Sequence, residues 1–317
     1  MQQENGAQVA VPMVAGNRGY ALGLLLLLYL SNYLDRQILA ILLEPIKLDL
    51  GLSDAQLGFL SGIAFAIFFA TLGIPIAMWA DRTSRRNVVV VALAAWSGMT
   101  MLCGFAVNFW QLVLARIGVA VGEAGGAPPA HSMISDLYAP HERATAMAVY
   151  SLGAPFGIFC GFLIGGWVNV ENGWRAAFFV VGAPGLLLAL VIRFTLREPR
   201  RGAADGLQDT APAPPLAEVL RFIWGQRSLV HMLAAATLTA LAGYGAIIWQ
   251  PVFLIRSFGL ETDEVGLALA LIIGIGGSIG TYFGGLMADR LGQRDARWYV
   301  WVIAGAAVLS APFLAGA

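Results

Sequence analysis

The chain has 317 residues, of which 58% are hydrophobic and 12% charged, against about 25% charged in an ordinary soluble domain, and its mean hydropathy is +0.73. Such a composition belongs to an integral membrane protein and excludes a soluble globular domain. Nineteen basic and nineteen acidic residues cancel, so no net charge draws the chain to nucleic acid, and what matters is where the charges sit.

Read in chain order, residues 1–18 form a cytoplasmic tail without a basic leader region, and the run Leu24 to Leu28 continues into Asn32, Asp35 and Arg36 without a cleavage site, as a spanning helix does and a signal peptide does not. A bilayer core near 30 Å takes about 20 apolar residues per helix. On that ruler spans fall near 19–43, 55–80, 88–107, 109–135, 143–169 and 174–196, then near 229–257, 263–288 and 298–317. Residues 19–197 thus make a six-helix bundle. Residues 198–227, with Arg200-Arg201-Gly202 and Ala211-Pro212-Ala213-Pro214-Pro215, are too polar and proline-rich to cross and form a cytoplasmic linker. Residues 228–317 supply the first three helices of a second bundle.

Basic residues gather in the 2/3 loop, the linker and the 8/9 loop, whereas the alternate loops lean acidic, with Glu44, Asp49, Asp54, Glu261, Asp263 and Glu264 against Lys47 and Arg256. The positive-inside rule then puts the amino terminus in the cytoplasm. Cys103 and Cys160 lie singly in apolar segments, without metal-ligand or disulfide spacing. No nucleotide-binding loop, metal cluster or nucleophile elbow is present, so hydrolysis-driven pumping and enzymatic catalysis are not expected.

The chain is also internally duplicated. Ala77-Met78-Trp79-Ala80-Asp81-Arg82-Thr83-Ser84-Arg85-Arg86 returns as Gly285-Leu286-Met287-Ala288-Asp289-Arg290-Leu291-Gly292-Gln293-Arg294 at an offset of 208, and Gly51-Leu52 falls on Gly259-Leu260 at the same offset. Large duplicated helical units are how secondary transporters are built. A full second copy would need six helices, so the sequence is expected to be truncated, lacking helices 10 to 12.

Ionisable groups at membrane depth mark pathways or relays, and four stand inside the predicted spans: Asp35, Arg36, Arg116 and Glu123. At 1.5 Å rise per residue, Asp35 would lie roughly 12 Å below the outer end of span 1 and Arg116 roughly 10 Å below that of span 4. Arg116 and Glu123 share a helix face. Asp35 and Glu123 are candidate proton carriers, with Arg116 and Arg36 as switchable partners or contacts for an anionic substrate. The plainer alternative is a static ion pair stapling span 1 to span 4.

Further candidates follow the same logic. The repeated loops, through Asp81, Arg82 and Arg86 and through Gly285, Asp289, Arg290, Gly292 and Arg294, can latch a gate by aiming charge at neighbouring helix ends. Glycines at every fourth place, Gly153, Gly157, Gly161 and Gly165 around Pro155, and Gly276, Gly280 and Gly284, clear strips for close helix packing. Asn32, Tyr33 and Arg36 on span 1, with Tyr244, Trp249 and Gln250 on span 7, suit an amphipathic substrate. His131 and His141 read as surface residues.

These residues together resemble the major facilitator superfamily from Tyr20 to Ala317. The second Asp-Arg loop matches that family's pattern, and the first departs from it at Ala77 and Ser84. Arg116 resembles the family's helix 4 arginine linked to proton coupling, and Gly153-Ala154-Pro155-Phe156-Gly157 is similar to a helix 5 motif of its antiporters. Within the superfamily, Asn32-Tyr33-Leu34-Asp35-Arg36 and Arg116 to Ala124, with its Gly122-Glu123-Ala124, resemble the spinster subfamily. The resemblance implies that the first Asp-Arg loop closes on helix 11 and the second on helix 5.

The expectation is therefore an all-α integral membrane protein with an incomplete major facilitator fold, about 9 of 12 helices, in a bacterial inner membrane. It would act as a monomer and without a cofactor, moving a small-molecule or lipid-like solute by alternating access, coupled to protons. Two other readings stay open: an organic-anion (carboxylate) facilitator or symporter, and a non-transporting receptor or inactive fragment.

Overall fold

The computed structural model describes residues 18–205, 215–295 and 297–315; the predicted tail up to Asn17, linker residues 206–214 with their proline run, and the last two residues lie outside them. Apart from the short connections between them, the described residues form helices. In order they form α1 (Arg18–Leu50), α2 (Asp54–Gly58), a π-helical turn (Phe59–Ile63), α3 (Ala64–Arg82), α4 (Arg85–Gly104), α5 (Phe109–Glu123), α6 (Ala127–Leu137), α7 (Pro140–Ser151) and α8 (Gly153–Thr195). After the linker come α9 (Leu216–Gly225), α10 (Arg227–Phe258), α11 (Thr262–Leu269), a second π-helical segment (Ala270–Gly276), α12 (Gly277–Gly292) and α13 (Trp298–Ala315).

Among the described residues six continuous helical runs are long and apolar enough to cross a membrane. One of them, Pro140–Thr195, holds two predicted spans, because Gly173 at φ 81° and ψ 164° leaves helical geometry where only glycine is comfortable. Spans 2 and 8 each pass through a π-helical segment. Span 4 is broken between α5 and α6 at Ala124-Gly125-Gly126, and span 5 between α7 and α8 at Leu152. The second break sits where Pro155 cannot donate to the carbonyl of Ser151, four residues back.

Predicted boundaries differ most in span 1. The helix runs to Leu50 instead of 43, since Glu44, Lys47 and Asp49 on the last turns find partners outside it. Arg18, assigned to the tail, opens α1 and donates to Glu142 at 2.7 Å. The linker contains a ten-residue helix, α9, that its proline-rich composition does not announce.

The duplication is visible in the caps. Gly51 and Gly259, 208 positions apart, both take φ 65° and end their helices in the left-handed conformation. Ser53 with Gln56, and Glu261 with Glu264, then form capping boxes at the next helix start. The same loop is thus built twice with different side chains.

Bundle packing rests on glycine. A Cβ on Gly153 would lie 2.8 Å from the carbonyl of Leu26, and one on Gly161 would lie 2.9 Å from that of Leu34. Gly157 sits against Leu30 and Gly165 against Ile38 and Ile41, so four glycines meet four successive rungs of α1. In lipid, where no hydrophobic effect drives helices together, such backbone proximity supplies the dispersion contact that does. On span 8 the expected strip differs: among the described residues Gly280 and Gly284 have nothing within 4 Å of a built Cβ, and Gly276 only its own helix at 3.9 Å. Gly266 and Gly274 make the close approach instead, against Phe162 and Gly166 and against Phe159 of α8. The π-helical segment Ala270–Gly276 holds Gly274 of the one set and Gly276 of the other, and the predicted strip continues from it along α12.

Candidate functional site

Asp35 and Arg36 lie mid-way along α1, and α5 brings Arg116 and Glu123 to face them. Gly122 makes this possible, since a Cβ there would be 2.7 Å from the backbone nitrogen of Trp96; α5 can press against α4 only without a side chain. Asp35, Arg116 and Glu123 are buried, each 2% exposed or less. Arg36 Nε donates to Glu123 Oε2 at 2.7 Å.

The pairing is not the one the predicted depths favour. Because α1 continues to Leu50, Asp35 is fifteen residues from its outer end, or roughly 22 Å, and Glu123 is fourteen residues from the start of α5, or roughly 21 Å. The span 1 pair is thus level with Glu123, and Arg116 stands two turns nearer the outer ends. Both carboxylate oxygens of Asp35, with Nε and Nη1 of Arg116, have no hydrogen-bond partner among the described residues. Asp35 is nonetheless within electrostatic reach of Arg116 and Glu123 and is flanked by Thr100 and Trp96 of α4.

Aromatic rings hold the arginines. Arg36 stands over Tyr33, Phe65 and Phe69 at 5.5, 5.3 and 5.0 Å, and Arg116 over Phe65 at 5.3 Å, so the Phe65 ring serves two guanidinium groups. Nothing in the sequence singled out Phe65 or Phe69; two phenylalanines one turn apart opposite an intramembrane arginine were the available signal. Tyr244 of α10 interacts with Tyr33 and Arg36, which joins three candidate substrate contacts from both halves. Asn32 is buried and lines a small cavity with Tyr29, Trp96 and Tyr150. Trp249 packs instead toward Gly58, 3.6 Å from a built Cβ there, and Gln250 is half-buried beside it. A hollow of about 410 Å³ lined by Leu163, Ile164, Trp167, Asp263 and Leu267 lies on the α8–α11 flank, away from these groups.

The Asp-Arg loop is organised around Arg85, a residue its sequence pattern does not single out. Asp81 and Arg82 are exposed and bond no side chain among the described residues. Arg85, 1% exposed, donates to Asp136 of α6, to Ser132 at 2.8 Å, to Glu198 at 3.1 Å and to the Pro199 carbonyl at 2.7 Å. Glu198 in turn accepts from Ser84 Oγ and from the backbone nitrogens of Arg85 and Arg86, capping the positive end of α4. Burial raises the Glu198 pKa, but these donors outweigh it and hold the carboxyl below its ordinary value. In the second copy, Arg290 and Arg294 are exposed and show no side-chain bond to α8 among the described residues. Gly285 and Gly292 lie in α12, and the side chain of Asp289 lies outside the described set.

At the opposite end, where the acidic loops cluster, α10 is tied to the first bundle. Arg256 bonds Glu44 at 2.6 Å and Asp54 at 2.7 Å, Lys47 also bonds Asp54, and Asn169 reaches Thr262. By contrast α10 is exposed from Ala234 to Gly245. The ion pairs that join the two halves among the described residues thus gather at the acidic-loop end.

The described residues thus form a multi-pass helical bundle with a buried charge cluster between α1 and α5 of its first half. The model of the Major Facilitator Superfamily matches residues 25–317, and the chain belongs to that superfamily, in its spinster-like branch. It is 36% identical over 289 residues to an MFS-type efflux pump of Mycolicibacterium smegmatis, covering 89% of this chain and 65% of that one. It is 27% identical to protein spinster homolog 1 of Homo sapiens, covering 98% of this chain and 62% of that one. The crystal structure of a bacterial homolog to the human lysosomal transporter spinster, inward-facing and unoccupied, superposes with a TM-score of 0.75 at 36% identity, over 87% of this chain and 64% of that one. The chain thus spans just under two thirds of the length of these three relatives.

Proposed function

We propose that the protein is part of a proton-coupled secondary transporter of the inner membrane that moves an amphipathic, lysolipid-like organic solute by alternating access, with its amino terminus and linker in the cytoplasm. The observation that carries this reading is Asp35, a buried carboxylate that forms no ion pair among the described residues, one residue from Arg36, which bonds Glu123 across the bundle. With both carboxylates ionised, the two acids and the two arginines cancel. One proton on Asp35 leaves a net positive charge at membrane depth, which a change in the cavity or an anionic headgroup can offset.

The substrate would sit against Asn32, Tyr33 and Arg36, with Tyr244 from the second half. Aromatic faces beside a guanidinium suit a solute with an apolar body and a negative head. The ion pairs of α10 with α1 and α2 at the acidic-loop end support an inward-facing arrangement, the state in which the similar bacterial spinster homolog was crystallised. Residues 19–197 then form the first bundle, 198–227 the linker and 228–317 the start of the second, and the Asp-Arg loops act as latches on the cytoplasmic side.

The test is uptake into liposomes reconstituted with the protein under an imposed pH gradient, comparing lysolipids with organic acids. Loss of gradient-driven uptake in Asp35→Asn, with binding retained, supports the reading. Uptake that is independent of the gradient and competed by simple carboxylates favours an organic-anion facilitator in which Arg36 and Arg116 hold the substrate.

A further inference from the structure

The linker helix α9, Leu216 to Gly225, is the most strongly amphipathic helix of the molecule. At 100° per residue, Leu216, Val219, Leu220, Ile223 and Trp224 fall on one side, and Glu218, Arg221 and Gly225 on the other. No residue of α9 is buried, and Leu220 is 44%, Phe222 63% and Trp224 72% exposed. A helix with this much apolar side chain in the open would be a liability in water.

Its position says what covers it. Only Gln226 separates α9 from α10, a 32-residue membrane-spanning helix that opens at Arg227, so α9 cannot leave the plane where α10 enters the bilayer. The same end of the molecule carries Arg193, Arg197 and Arg200 at the exit of α8, and Arg82 and Arg86 beside it. An apolar stripe with aromatic residues, a basic residue on the far side and a basic surround is the pattern of a helix lying in the interface of an anionic leaflet. Continuity with a spanning helix and charge complementarity both point to lipid, not to a protein partner.

We infer that α9 is an interfacial anchor, which lays Leu216, Val219, Leu220, Ile223 and Trp224 into the boundary of the cytoplasmic leaflet while Arg221 and Arg227 engage anionic phospholipid headgroups. It would fix the height and direction at which the second bundle begins. The inference does not depend on proton coupling or on what is transported.

The experiment places an environment-sensitive dye on Leu220→Cys or, as the opposite-face control, Glu218→Cys, in the chain with Cys103 and Cys160 replaced by alanine. The labelled protein is reconstituted in nanodiscs of phosphatidylcholine alone or enriched in phosphatidylglycerol, and quenching by iodide is read. The expected result is a shielded Leu220 label and an accessible Glu218 label, with the shielding deeper in the phosphatidylglycerol discs. Arg221→Gln should shift the shielded-to-accessible ratio toward water about fivefold in those discs, one basic contact's worth. Equal quenching at both positions overturns the inference. So does shielding that is indifferent to phosphatidylglycerol, or shielding that persists in detergent and grows with protein concentration, the mark of a second copy. Should a label disturb the helix, quenching by brominated lipid reports the same depth without one: Trp224→Phe should remove a quenched fraction of the emission, and no change overturns the proposal.

Discussion

The guanidinium of Arg36 and the carboxylate of Glu123 meet at 2.7 Å between α1 and α5, with the Glu123 side chain fully buried and that of Arg36 still 19% exposed. Glu123 is the last residue of α5, immediately before the break at Ala124-Gly125-Gly126. The pair therefore joins the middle of one helix to the loose end of another. A contact that must be rearranged is best placed where one partner's backbone can yield.

Replacing Glu123 by Gln keeps an acceptor for Arg36 and removes the site for a proton. Uptake driven by an imposed pH gradient should be abolished in liposomes, while exchange driven by substrate alone persists. Thermal stability should fall modestly, by about 1–2 kcal/mol, as a charge-assisted bond becomes a neutral one. Gradient-driven uptake at the wild-type rate would remove Glu123 from the coupling mechanism.

At the loop between α3 and α4, Arg85→Ala would strand Asp136 and Glu198 together beside the α4 terminus. Breaking a buried pair from one side costs about 3–5 kcal/mol, to be read as a loss of melting temperature. The pH dependence has a definite sign. Glu198 sits below its ordinary pKa of 4.5 in the fold, so its contribution is complete above that value and is lost as pH falls through the lower folded value. Melting temperature should fall below pH 4.5 in the wild type, and Glu198→Gln should lack that component; parallel curves would show that the carboxylate is not engaged.

Some of this was readable from the chain and some was not. The all-helical fold and the duplicated loop follow from apolar length and repeated caps, which are local properties. Arg36 and Glu123 were identifiable because charge at membrane depth is conspicuous, yet their pairing was not, because it depends on α1 continuing seven residues past its apolar run. Arg85 and Glu198 were hidden for a different reason: they are 113 positions apart, in loops where charge is ordinary. The glycines of span 8 show that regular spacing marks a strip but does not say which face a neighbour takes: Gly266 and Gly274 meet α8.

The glycine strips allow a direct comparison. A Cβ at Gly161 would sit 2.8 Å from Gln37 Cβ and 2.9 Å from the Leu34 carbonyl, whereas one at Gly280 meets nothing within 4 Å. Gly161→Val should force α8 off α1 and destabilise by about 1–3 kcal/mol or more, as overpacking does. Gly280→Ala should be neutral or stabilising by up to about 1 kcal/mol through helix propensity. Thermal shift in detergent distinguishes them, and equal effects would contradict the packing.

Arg256 is where the two halves of the chain hold each other most visibly, through Glu44 of α1 and Asp54 of α2. Its side chain is 33% exposed, so the ion pairs are screened by salt and individually weak. A latch that must open in every cycle should have this property, since a deeply buried pair would hold the halves in one state. Arg256→Gln should therefore leave the melting temperature nearly unchanged while shifting the halves toward separation at the acidic-loop end. Thr262, buried there and bonded to Asn169, supplies the reporter. In Thr262→Cys, labelling by a membrane-impermeant maleimide should rise several-fold when Arg256→Gln is added, and high salt should reproduce part of that rise in the parent. If labelling stays constant while stability drops, Arg256 is a staple and not a latch.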